Sequence, residues 1–174
     1  MPRDLPALPG IYKALFLHVE PLVTIFSAFL PWFFPGAEWF HNELVPSVGT
    51  SGPLDARTTM AIWQLGNCYM LIGLISSFVF RAIRDTLPND PEAQERILGA
   101  SMTALALADV THGVISWIGL PQDLRYSVGT WNLMTHGNIT LVVFLLSMRL
   151  AWFAGIGRTR YYYGKSSRKG QKSG

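Results

Sequence analysis

The sequence predicts an all-α protein, a four-helix transmembrane bundle, and three observations carry that expectation. Four apolar windows, residues 11–34, 58–80, 97–120 and 131–155, are each long enough to cross a bilayer, since at about 1.5 Å per residue each covers the roughly 30 Å of hydrocarbon. Only 14 % of residues are charged and 49 % are hydrophobic, against about 25 % charged in an ordinary soluble domain. The basic residues also alternate along the chain. The N-terminal segment carries Arg3 and Lys13, Arg81, Arg84 and Arg96 lie around the second connection, and Arg158, Arg160, Lys165, Arg168, Lys169 and Lys172 follow the fourth helix, while the other connections hold only Arg57 and Arg125. Both termini are therefore expected to be cytoplasmic, which requires an even number of spans.

The domain division that follows is a four-pass domain over residues 1–157 and a disordered basic tail over 158–174. The net charge of +3 comes from tail and connections, so a nucleic-acid partner is not indicated. A single cysteine, Cys68 in the second span, excludes an intramolecular disulfide and a cysteine metal cluster. The first residues lack the short apolar core and small-residue cleavage site of a signal peptide, so the first helix is expected to stay as an anchor.

In the first helix Lys13, Glu20, Thr24 and Ser27 form one polar stripe. Pro21 disturbs the turn before it; Glu20 is expected to face inward, while His18 points elsewhere on a regular helix. The connection 35–57, rich in Gly, Pro and Ser and holding Trp39, Phe40 and His41, is expected to cap or dip into the lumenal face. The second helix contributes Trp63, Gln64 and Asn67. Asp90 and Pro91 read as the cap and first residue of the third helix. On that helix Ala100, Ala104 and Ala108 form a small-residue seam suited to close helix packing, with Asp109 and His112 beside it and three residues apart, hence on one face. The fourth helix opens with Trp131, Asn132, Thr135, His136 and Asn138, and Arg149 is expected to reach the cytoplasmic interface. Residues 161–164 read as an aromatic anchor before the basic tail.

A carboxylate in hydrocarbon costs roughly 2.5 to 3.5 kcal/mol on insertion scales, so Asp109 and Glu20 need partners or a purpose. Counting along the helices places Asp109 about 20 Å from the cytoplasmic start of its span, His136 and Asn138 about 7 to 10 Å from the lumenal side, and Gln64 and Asn67 about 9 to 14 Å. These depths converge between the midplane and the lumenal half. Three readings fit: a satisfied polar network in which Asp109 accepts from His112, Thr135 and Asn138; a metal site using His112, His136 and a carboxylate; and acid/base chemistry on an apolar substrate, with Trp63, Trp117 and Trp131 as cavity walls or interface anchors. The metal reading lacks any His-x-x-His or His-x-x-x-His pair.

The segments LPGIYKALFLHVEP, WQLGNCYMLIG, ALADVTHG and WNLMTHGNIT, in this order, resemble a family of short four-helix integral membrane proteins of filamentous fungi known as a domain of unknown function. That resemblance implies the fold and no activity. More remotely, four helices with inward acids, an Asn and a Trp are similar to EXPERA-type membrane proteins, which include sterol isomerases that shuttle a proton to and from an alkene; the His–Glu pair four residues apart of those isomerases has no counterpart here. A further similarity is to membrane cyclases and epoxide-opening enzymes of terpenoid and polyketide pathways.

The expectation is a cofactor-independent, metal-free acid/base enzyme, an isomerase, cyclase or epoxide-opening hydrolase of fungal secondary metabolism, in the endoplasmic reticulum membrane. Asp109, Glu20, His112 and His136 would be catalytic. Gln64, Asn67, Asn132, Thr135, Asn138, Trp63 and Trp131 would bind a lipophilic substrate. The alternative is a non-catalytic lipid- or sterol-binding or scaffolding protein, and a homodimer is compatible with either.

Overall fold

A computed structural model describes residues 5–46, 49 and 52–164. Four helices in it are long and apolar enough to cross a membrane: α1 (Gly10–Trp32), α3 (Ala56–Thr86), α4 (Pro91–Gly119) and α5 (Leu133–Ala154), with a short α2 (Ala37–Glu43) between the first two. Among the described residues there is no strand.

Helix α1 is not regular. Residues Leu15–Val19 form a π-helical turn in which the Glu20 amide donates to the Leu15 carbonyl, five residues back. Pro21 explains it, because a proline has no N–H to continue the ordinary ladder and its ring crowds the preceding turn. The wide turn sets the faces that follow: Phe16, Leu17, Glu20 and Pro21 are buried, while His18 and Val19 are exposed.

Helix α3 starts at Asp55, whose side chain accepts from the Arg57 and Thr58 amides at 2.8 and 3.2 Å, an N-cap that satisfies two otherwise free donors. Those bonds and the Thr58 hydroxyl hold the Asp55 carboxyl below its usual range. Helix α3 then lies tightly on α1 because two glycines face it. A Cβ on Gly66 would sit 3.1 Å from the Ala28 carbonyl, and one on Gly73 would sit 2.7 Å from Ile25 Cγ1. Small residues let the backbones approach, so packing contacts replace the hydrophobic drive that lipid does not supply.

Asp90 caps α4 through the Ala93 amide at 2.9 Å, with Pro91 as its first residue. A turn at Gln122–Arg125 and a 3-10 turn at Val128–Thr130 lead into α5. There Asn132 caps through the Thr135 amide at 2.8 Å, and Gly155 (φ +75°) ends the helix.

Helix α1 packs along α3, and α4 packs along α5. The two pairs meet in one core of Leu5, Leu8, Tyr12, Phe16, Leu17, Phe80, Ile83, Leu98, Met102 and Trp152. This core lies at the end holding the first and last described residues, where the Tyr12 hydroxyl donates to the Ile156 carbonyl at 2.8 Å. Only 17 % of the apolar window of α4 is buried; large side chains such as Leu107, Ile115 and Ile118 face outward, as expected of a surface solvated by acyl chains rather than water.

Three expectations are revised. Helices α3 and α4 run to 31 and 29 residues, longer than their apolar windows, because charged sequences around Arg81 and Arg96 continue the helix beyond the hydrocarbon length. The Ala100, Ala104 and Ala108 seam is exposed; α4 instead buries Gln94, Glu95, Leu98, Gly99 and Met102. Finally, residues 158–163 are not a free tail but are docked, as described below, while residues 165–174 lie outside the described residues.

Candidate functional site

Arg149 of α5 joins Glu20 of α1 to Asp109 of α4. Its Nη2 donates to Glu20 Oε1 and its Nη1 to Asp109 Oδ2, and the guanidinium lies 5.2 Å over the Phe16 ring. The side chains are 1 %, 9 % and 12 % exposed for Arg149, Glu20 and Asp109, so all three are withdrawn from the surroundings. The expectation that Arg149 reaches the interface is therefore corrected. A second π-helical segment, His136–Leu141, lies upstream of it in α5. Such a wide turn delays the helix by about one residue, and so rotates the later side chains away from a regular projection.

The stoichiometry is unequal. Two carboxylates share one guanidinium, so a proton or a cationic group on a ligand is needed to balance the cluster. Glu20 Oε2 and Asp109 Oδ1 make no hydrogen bond among the described residues, and neither is a sealed, unpartnered atom; the one buried side-chain polar atom without a partner there is Arg149 Nε. Each acid thus keeps one oxygen without a hydrogen bond among the described residues.

The other sequence-predicted residues are placed as follows. His112 is half-buried one turn beyond Asp109, with no hydrogen bond to it. His136 pairs through Nδ1 with Thr140 Oγ1 at 2.9 Å and lies edge-on to Trp131 at 5.5 Å, away from the acids. Asn132 is committed to structure: its Oδ1 accepts from the Thr135 amide and hydroxyl, and its Nδ2 donates to the Glu43 backbone and carboxylate, each at 2.8 Å. Trp131 Nε1 donates to the Leu124 carbonyl at 2.8 Å. Trp63 Nε1 donates to the Pro31 carbonyl at 3.0 Å while the Trp63 carbonyl accepts from Trp32 at 2.9 Å, which ties α1 to α3. Gln64 and Asn67 are exposed on α3. Thr135 and Asn138 line a cavity at the end of the bundle away from the Trp152 core. The structure thus unites Glu20 and Asp109 and distributes the rest.

Sequence reasoning missed a second buried charge cluster. Glu95 accepts from Arg158 Nη2 at 2.8 Å, from the Tyr162 amide at 2.8 Å, from the Tyr163 amide at 3.3 Å and from the Tyr161 amide. Arg158 stacks 4.0 Å over Trp152, whose Nε1 donates to the Ala7 carbonyl at 2.9 Å. The neighbouring Gln94 accepts from the Ala7 amide at 3.4 Å and donates to the Leu87 carbonyl at 2.8 Å. One helical turn therefore clasps both the segment before α1 and the segment after α5. Gly99 makes room, since a Cβ there would lie 2.1 Å from the Tyr163 ring. Burial, with smaller contributions from Tyr162 and Glu95, lifts the Tyr163 hydroxyl above its usual range.

No curated protein and no solved structure matches the chain. A family model described as a domain of unknown function (DUF7704) matches residues 5–159, nearly the whole sequence, and the chain belongs to that family.

Proposed function

We propose that the protein is a membrane-embedded acid/base enzyme that isomerises, cyclises or opens an epoxide in a lipophilic terpenoid or polyketide, in the endoplasmic reticulum membrane. The observation that supports this reading is the unequal cluster: two acids on one buried guanidinium, each with an uncommitted oxygen. Arg149 holds one carboxylate as the base, and the proton that balances the second makes it the acid; two like groups in unequal roles divide the chemistry between them. Asp109, with His112 one turn away, is assigned as the proton donor. It would protonate an alkene carbon or an epoxide oxygen, and a carboxylate would recover a proton from the neighbouring carbon or from the attacking hydroxyl. Protons then balance, and neither oxidant nor reductant enters.

The same geometry favours one other reading. Arg149 ties three helices together, which is what a structural lock in a lipid-binding or scaffolding protein would do. Deleting the gene in its native host, restoring wild type or Asp109→Asn at matched membrane levels, and profiling the lipophilic extract separates the two. A precursor that accumulates on deletion and is cleared by wild type alone supports the enzyme. Full restoration by Asp109→Asn refutes the proton role and leaves the lock.

A further inference from the structure

At the end of the bundle away from the Trp152 core, Ser116, Thr135 and Asn138, with Leu44, Val45 and Ile139, line a half-open cavity of about 170 Å³. Its walls come from α4, α5 and the segment after α2. No charged side chain lines it, so it suits an uncharged occupant. Its size is that of a single ring or a short branched chain, since an apolar cavity of about 150 Å³ admits benzene.

Two polar side chains in the wall are uncommitted. Ser116 Oγ and the Asn138 amide make no hydrogen bond among the described residues, although a helical serine commonly bonds the carbonyl four residues back. Thr135 Oγ1 donates to Asn132 Oδ1 at 2.8 Å, which leaves its lone pairs to accept. Apolar walls with a few convergent polar groups are the general form of a small-molecule site. Here the amide both donates and accepts, the serine does the same and the threonine accepts, so a hydroxyl group, which donates once and accepts twice, complements them with one bond to each. We infer that this cavity binds a neutral lipophilic alcohol, or the alcohol-bearing end of a larger molecule, with Ser116 and Asn138 as its anchors.

The site lies in line with the charged cluster. Ser116 is seven residues beyond Asp109, on nearly the same face of α4 and about 10 Å along the axis. The assignment stands on the cavity alone; the catalytic reading bears only on what becomes of the ligand.

The test uses the full chain in phosphatidylcholine nanodiscs, with 4-fluorophenol and fluorobenzene as ring-sized probes that differ by one hydroxyl, followed by fluorine-19 line broadening. Saturable binding of 4-fluorophenol is expected, weakened about five- to tenfold by Asn138→Leu and by Ser116→Ala, the loss of roughly one hydrogen bond. Fluorobenzene should bind more weakly and ignore Ser116→Ala. Binding that does not saturate above empty nanodiscs, or that both variants leave unchanged, overturns the proposal. Asp109→Asn should bind the probe as wild type does. If that variant also restores the metabolite profile, the catalytic reading fails while the cavity stands; if the probe ignores both wall variants, the cavity fails while the catalytic reading stands.

Discussion

The unequal charge of the buried cluster makes the order of damage from its substitutions predictable. At an effective dielectric of about 20, unit charges 4 Å apart attract by about 4 kcal/mol, so the two contacts of Arg149 amount to roughly twice that before desolvation and the repulsion between the acids are subtracted. Arg149→Met keeps the volume and leaves two buried carboxylates without a counter-ion; removing one member of a buried pair costs about 3 to 5 kcal/mol. Glu20→Gln or Asp109→Asn has the opposite character, because the guanidinium keeps one carboxylate, the charges become equal, and the new amide still accepts a hydrogen bond. Each should cost only about 1 kcal/mol. The triple variant, apolar at 149 and neutral at 20 and 109, should return to within about 2 kcal/mol of wild type, as replaced buried ion pairs often do. Equilibrium unfolding in bicelles with rising dodecyl sulfate, followed by the fluorescence of the six tryptophans, measures all four. Arg149→Met within 1 kcal/mol of wild type, or Glu20→Gln as costly as Arg149→Met, would refute the reasoning.

Three other expectations follow from the clasp and the glycine packing. Glu95→Gln removes a buried charge that holds residues 158–163; at about 1.5 to 3 kcal/mol for charged hydrogen bonds, trypsin should cut after Arg158 and Arg160 at least tenfold faster, and an unchanged fragment pattern by mass spectrometry contradicts the docking. Tyr163 titrates above the unfolded tyrosine value of about 10, so docking favours its neutral form: the contribution is whole below that value and lost as pH rises through the folded one. Subtracting the phenolate absorbance curve of Tyr163→Phe from that of wild type should isolate one late-titrating group, and a difference curve centred at the ordinary value counts against it. Gly73→Val, whose Cβ would already lie 2.7 Å from Ile25, should cost about 1 to 3 kcal/mol in the same unfolding assay, whereas Gly113→Ala, 3.9 Å from Val142, should be neutral or slightly stabilising; equal effects would mean that α1 and α3 are not in close contact.

The four long helices were legible because hydropathy over a 20-residue window is a strong signal, and so was the Asp90 cap with Pro91 behind it. Glu20 and Asp109 were legible as costly residues that had to find partners. Their partner was not, because a π-helical segment inside α5 turns Arg149 away from where 3.6 residues per turn would put it, and because a long side chain five residues from the helix end can reach either way. Gln64 and Asn67 misled for another reason. The rule that polar residues face inward lost to the size rule on α3, where Gly66 and Gly73 claim the contact with α1. The Glu95 clasp was hidden because a buried glutamate just past the first turn of a helix reads like any solvated acidic start; only the docking of Arg158, 63 residues later, distinguishes it.

The separation of Glu20 from Arg149 has a consequence in time. Glu20 of α1 is synthesised 129 residues before the guanidinium that will meet its carboxylate, a delay of roughly 6 to 26 s at 5 to 20 residues per second. Over that interval the α1–α3 hairpin, whose glycine contacts depend on nothing downstream, is the part that can already assemble. Glu20 reaches its counter-ion only when the fourth span arrives, so the same contact that joins the halves of the finished bundle also marks the moment at which its construction is complete.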